Sequence, residues 1–186
     1  VYTLPLLTGL VLLLVPLFLA VVAIMVVATR SRGTPILNRE DHKPSNIAAF
    51  GVNFAVFVAV TVFTPLRTGP WFWLGLSMLL PAALLYLLSI TAFITNKTGL
   101  TTGGIYARTR NPMYVALGLL VVAFSSMAGQ ASAGAALMLL TSSGIFFALV
   151  RARVTQEERY LEAAYGEVWR AYRDATPRFL GTRSFR

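Results

Sequence analysis

Charge is missing from four long stretches of this chain, residues 1–29, 44–66, 68–96 and 111–150. Each holds at least one helix of about 20 residues, the length that crosses the hydrocarbon core of a bilayer. The last holds two, with Ala128-Gly129-Gln130-Ala131-Ser132 as a tight turn between them. The fold class is therefore all-α: a polytopic membrane protein with five transmembrane helices, whose cores lie near 5–28, 47–64, 71–94, 112–127 and 133–150. No helical period is needed, because a helix that is apolar all round is what a lipid-facing span looks like. The first stretch is expected to be a span and not a signal peptide, since no basic segment precedes it and it outruns an ordinary apolar signal core.

Composition agrees with a lipid environment. The chain is 56% hydrophobic and 12% charged, with a mean hydropathy of +0.69, whereas a soluble domain carries roughly 25% charged residues. Disorder is excluded on the same ground. The absence of cysteine excludes disulfides, thiolate metal sites, iron–sulfur clusters and a cysteine nucleophile.

The net charge of +9 would suggest nucleic acid in a soluble protein, but its distribution points to topology. Arg30, Arg32, Arg39 and Lys43 follow the first span, Lys97, Arg108 and Arg110 follow the third, and eight more cations occupy the tail from Arg151. Only Arg67 falls on the opposite side, so fifteen of sixteen Lys and Arg share one face. The positive-inside rule makes that face cytoplasmic, which puts the N-terminus outside and the C-terminus inside. No nucleic-acid partner is expected. A single integral-membrane domain results, with three spans in residues 1–95 and the polar, chemistry-bearing half in 96–186. Pro16 and Pro81 inside the first and third spans read as packing features. The small residues of the last two spans, among them Gly118, Ala123, Gly134, Ser142 and Gly144, read as a tightly packed hairpin.

No carboxylate lies within a span, which disfavours an ion or proton pump. The polar chemistry gathers in three interfacial clusters. In the first, His42 beside Glu40 and Asp41 falls short of the three ligands of a catalytic zinc, so no metal is expected. In the second, Gly103 to Tyr114, Pro112 suits the first turn of a helix and Asn111 its N-cap. The third opens the tail. There Thr155 and Glu158 have the spacing of a capping box, and Leu161, Tyr165, Val168 and Tyr172 form a stripe suited to an amphipathic cytoplasmic helix.

The last two clusters together carry a resemblance. G-I-Y-A-R-T-R-N-P-M-Y at 104–114 and E-E-R-Y-L-E-A-A-Y-G-E-V-W-R-A-Y at 157–172 are similar, in order and spacing, to segments of the integral-membrane methyltransferases that include isoprenylcysteine carboxyl methyltransferase and phosphatidylethanolamine N-methyltransferase. The likeness covers roughly residues 99–180. It implies S-adenosylmethionine bound near the cytoplasmic surface, under the tail and between the last two spans. It also implies backbone contacts to that cofactor at Leu100, Thr101 and Thr102, a pocket lined by Tyr106, Arg110, Asn111, Pro112 and Tyr114, and polar contacts from Glu157 and Glu158. Arg110, Asn111 and Tyr114 would stand at the reacting groups. Many such enzymes have histidine where this chain has Asn111, which donates and accepts hydrogen bonds but cannot titrate.

The implied activity is methyl transfer to a lipophilic acceptor dissolved in the bilayer, in an inner membrane of bacterial type, with the site facing the cytoplasm. A carboxylate acceptor would want a guanidinium clamp, for which Arg108, Arg110 and Arg178 are available. An amine would want a base, with Glu157, Glu158 or Tyr114 at hand. Two other readings stay open at this level: an NADPH-dependent reductase of the membrane sterol type, which carries a related motif, and a helical scaffold without a ligand.

Overall fold

The computed structural model describes residues 44–96 and 99–179, with side chains from residue 51 onward. The expected first span with Pro16, the loop bearing Arg30, Arg32, Arg39, Glu40, Asp41, His42 and Lys43, and also Lys97, Arg183 and Arg186 lie outside the described residues. What is described is helical: α1 (Pro44–Phe63), α2 (Pro70–Thr95), a 3-10 turn (Gly104–Ala107), α3 (Pro112–Ala131) and α4 (Ala133–Ala175). There is no strand among the described residues.

α2, α3 and α4 are long and apolar enough to cross a bilayer, while the apolar part of α1, Gly51–Phe63, is shorter. α1, α2 and α3 begin and end close to the expected second to fourth spans, whereas α4 begins where the fifth was expected and runs on past residue 150 to Ala175. Pro70 and Pro112 each open a helix, where the missing N–H removes no bond. α2 continues through Pro81 to Thr95. Several hydroxyls within the apolar helices are satisfied locally: Thr61 donates to the Phe57 carbonyl at 2.8 Å, Ser89 to Leu85 at 2.6 Å and Ser126 to Val122 at 2.9 Å. Leu80, Leu84, Leu137 and Ile145 point outward, the expected dress of a surface solvated by lipid.

The bundle is held by close approach, and the tightest pair is not the expected hairpin. α2 packs most extensively on α3. A Cβ on Gly75 of α2 would stand 2.4 Å from the Ala123 carbonyl oxygen, so only glycine lets these backbones meet. Between α3 and α4, Gly118 faces the Phe147 ring, but a Cβ on Gly144 would meet nothing within 4 Å among the described residues. A run of small residues marks a helix that can pack closely without saying against which neighbour. A small core of Val60, Phe124, Ala128 and Leu139 joins α1, α3 and α4, with Phe57 and Phe124 edge to face at 5.3 Å.

Two other expectations are corrected. The turn thought to occupy 128–132 is Ser132 alone, because α3 runs to Ala131. The extended Ser132 closes one helix through its N–H to the Ala128 carbonyl (2.9 Å) and opens the next by accepting from Ala135 N (3.3 Å). Nor does a new helix start at Thr155: α4 is continuous from Ala133, and the Thr155 hydroxyl donates backward to Arg151 O at 3.0 Å. A capping box needs a helix start with unpaired amides, and here the preceding turns have already paired them.

The break in α4 comes later, at Gly166, whose φ of 51° and ψ of −122° are outside the range of other residues. That residue sets a new phase for the last turns. Val168 of the expected amphipathic stripe is 65% exposed, and its neighbour Trp169 is buried at 2%. The chain then leaves the helix at Thr176 and runs back beneath the start of α3.

Candidate active site

At the end of the bundle where α2 finishes and α3 begins, a cavity of about 190 Å³ lies between these helices, the 3-10 turn and α4. Nine of the ten residues expected to bind a cofactor line it: Leu100, Thr101, Tyr106, Arg110, Asn111, Pro112, Tyr114, Glu157 and Glu158. Thr102 does not; it is exposed on the loop. Phe93, Met113, Arg153, Leu161, Trp169 and Tyr172 complete much of the wall. Of these additions, Trp169 and Tyr172 stand in the tail segment already compared with the methyltransferases. Arg153 precedes that segment, and no feature of the sequence marked it.

The local folding explains the placement. Gly104, at φ 62°, starts the 3-10 turn that directs Tyr106 inward, where it is 7% exposed. Arg108 and Arg110 then part company: Arg108 is exposed, whereas the Arg110 side chain keeps 10% of its surface. Asn111 occupies the position before α3, but its side chain does not cap that helix. Its amide donates instead to the Arg178 carbonyl at 2.9 Å. Gly99, at φ 89°, leaves room for the Tyr165 hydroxyl, which a Cβ there would meet at 2.6 Å.

The returning chain forms a strap over this end. Arg110 N donates to Pro177 O (2.9 Å), Thr109 Oγ1 to Arg178 O (3.4 Å) and Tyr172 OH to Tyr106 O (2.7 Å). Glu158 binds two arginines at once. Arg110 Nη1 lies 3.0 Å from Oε1, Arg178 Nε donates to Oε1 at 3.1 Å, and Arg178 Nη2 bonds Oε2. Glu158 thus braces the segment before α3 and the strap against α4. The Arg110 guanidinium also lies 5.7 Å from the Trp169 ring centre, within cation–π range. Burial pulls its pKa below the ordinary arginine value, with Glu158 opposing. Burial raises the phenols of Tyr106 and Tyr172, so both stay protonated through the neutral range.

The wall is also short of partners. Five described residues have buried polar side-chain atoms without a hydrogen-bond partner, and four of them line this cavity: Tyr106 OH, Arg110 Nε, Arg153 Nε and Trp169 Nε1. Native interiors leave few such groups, each at a cost of roughly 1–3 kcal/mol, so their collection in one cavity marks a place for a polar ligand.

These features define a class: a helical integral-membrane protein with an aromatic-walled polar cavity at one end of its bundle. Residues 72–168, just over half of the chain, match the phospholipid methyltransferase family, and the chain belongs to that family of membrane methyltransferases. The match begins within α2, further upstream than the segments compared above, and ends before Trp169 and the strap. Comparison with curated proteins and with solved structures gives no match.

Proposed function

We propose that the protein transfers a methyl group from S-adenosylmethionine to a lipophilic acceptor dissolved in the membrane, at the cytoplasmic face. The observation that carries this reading is the cavity itself. Its donors without partners, the carboxylate of Glu157 and its aromatic walls suit a ligand with an ammonium, a carboxylate, ribose hydroxyls and a cationic sulfonium. When bound, that cofactor supplies an electrophilic methyl group. The chain's own work is positioning and exclusion of water. Tyr106, Trp169 and Tyr172 form a wall that keeps solvent out, and the brace of Glu158 with Arg110 and Arg178 holds the start of α3 against the tail. Asn111 lines the cavity, and its side-chain amide donates a hydrogen bond to Arg178 O, while its carbonyl oxygen is an acceptor by nature.

In the same reading the chain has five spans with the N-terminus outside, and residues 96–186 form the catalytic half of one domain. Arg110, Asn111 and Tyr114 stand nearest the reacting groups. The charge distribution along the sequence supports this orientation. The acceptor arrives from the bilayer between apolar helices, while the methyl donor arrives from water.

The test is incorporation. Purified protein in detergent, given S-adenosylmethionine labelled in the methyl group and a total lipid extract, is expected to move label into the organic phase. Loss of that transfer in Trp169→Ala, with the protein still folded, is the second expected result. Label confined to the aqueous phase with every lipid fraction would overturn the reading.

A further inference from the structure

Tyr86 is the one phenol of α2, and no motif of the sequence includes it. The packing of α2 on α3 fixes its level. A Cβ on Gly75 would meet Ala123 and Met127, and one on Gly104, shortly before α3, would stand 3.7 Å from the Cβ of Ala92. The two helices are therefore antiparallel, and Tyr86, between Gly75 and Ala92, is level with the start of α3, where Tyr114 lines the cavity. It shares a face of α2 with Phe93, seven residues further on and also in the cavity wall. Tyr86 and Tyr114 lie close enough to Tyr106 to act on its phenol electrostatically. The Tyr106 hydroxyl is buried without a partner, and among the described residues the Tyr86 hydroxyl makes no hydrogen bond. α2 and α3 carry no charged side chain. The bilayer side of the cavity thus offers a ligand two hydroxyls without partners, each costly to leave so in apolar surroundings.

We infer that Tyr86 and Tyr106 hold the reacting head of the methyl acceptor at the bilayer side of the cavity. This rests on the function proposed above and names acceptor-binding residues for it. A phenol both donates and accepts a hydrogen bond. The pair therefore suits a head group with an N–H or O–H, which donates to a phenol oxygen and leaves its reacting lone pair free to face the methyl group. Held between two fixed rings, that lone pair has few other directions to point, and orientation of this kind is what a transfer in line requires.

The test separates acceptor from donor on the whole chain in mixed micelles. Methyl-labelled S-adenosylmethionine is held at saturation while the mole fraction of a total lipid extract is varied, and affinity for S-adenosylhomocysteine is measured alongside by calorimetry. Tyr86→Phe and Tyr106→Phe keep the rings, and with them the packing, and remove only the hydroxyls. Each is expected to need roughly two- to ten-fold more lipid for half-maximal transfer, the usual effect of losing one neutral hydrogen bond, with wild-type affinity for S-adenosylhomocysteine. If half-saturation in either variant is that of the wild type, the assignment of that residue is wrong and the function stands. If affinity for S-adenosylhomocysteine falls as well, the residue shapes the cavity and does not read the acceptor, which also overturns the assignment. If the wild type transfers no label to any lipid, the function itself fails and the inference falls with it.

Discussion

At the Ser132 end of the bundle the chain turns within a single residue, and the bonds that hold it are mostly between near neighbours: Ser132 to Ala128, Ala135 to Ser132. One longer reach, from Trp71 N to the Gln130 side chain at 3.2 Å, fastens the start of α2. At the Arg110 end the bonds join residues 66 to 69 positions apart, Tyr172 to Tyr106, Asn111 to Arg178 and Thr109 to Arg178. The first end is complete in itself. The second places charge and aromatic surface around a space with buried donors left over, an arrangement that costs stability and makes sense where a ligand restores the missing bonds.

The largest effect that would sharpen this contrast is expected from Glu158→Gln. It removes the negative charge shared by Arg110 and Arg178, one of them well buried. Breaking such a partly buried network should cost roughly 2–4 kcal/mol. Thermal unfolding in detergent should show it, together with loss of methyl transfer.

Next in size is Gly166→Ala. A residue with a Cβ is strained at this φ and ψ by about 1–3 kcal/mol, and relaxation would draw Trp169 and Tyr172 away from the cavity. Ligand affinity should therefore fall along with stability. Gly75→Ala should destabilise by a similar amount, about 1–3 kcal/mol, because its Cβ meets backbone. It acts within the spans, so affinity for S-adenosylhomocysteine should not change. Gly144→Ala, whose Cβ would touch none of the described residues, should be close to neutral in the same assays.

How much of this was legible in the sequence differs between the two ends. Three membrane-length helices, α2 to α4, were, because the absence of charge over 20 or more residues has few meanings. So was the 104–114 segment, whose parts lie close together in the chain. The kink at Gly166 was not: the stripe Leu161, Tyr165, Val168, Tyr172 assumed an unbroken helical phase, and with the kink Trp169 is the residue turned into the protein. The capping readings of Asn111 and Glu158 failed for a related reason. A local motif, an N-cap or a capping box, explained each of them adequately, while their partners lie in a strap 20 or more positions away. Arg153 gave no signal, since a basic residue at the end of a span is accounted for by topology alone.

Smaller effects test the separation of the ends. Gln130→Ala should cost about 0.5–1.5 kcal/mol through the lost bond to Trp71 N and leave methyl transfer as it was. The two buried phenols predict a pH dependence. Their pKa values lie above the ordinary value of about 10, so above that pH the unfolded chain releases protons that the native state retains. Stability from this source is full below pH 10 and falls as pH rises further. Melting temperature measured from pH 8 to 11 should decline over the upper part of that range, and the Tyr106→Phe, Tyr172→Phe pair should flatten the decline.

The central claim is that the Arg110 end, and not the bundle at large, holds the methyl donor. Titrating S-adenosylhomocysteine into wild type, Trp169→Ala and Gln130→Ala by calorimetry tests it most directly. The account predicts saturable binding near one ligand per chain, unchanged in Gln130→Ala and weakened at least tenfold in Trp169→Ala, the order of one lost polar or stacking contact. Equal affinity in all three proteins, or no binding by the wild type, would contradict it.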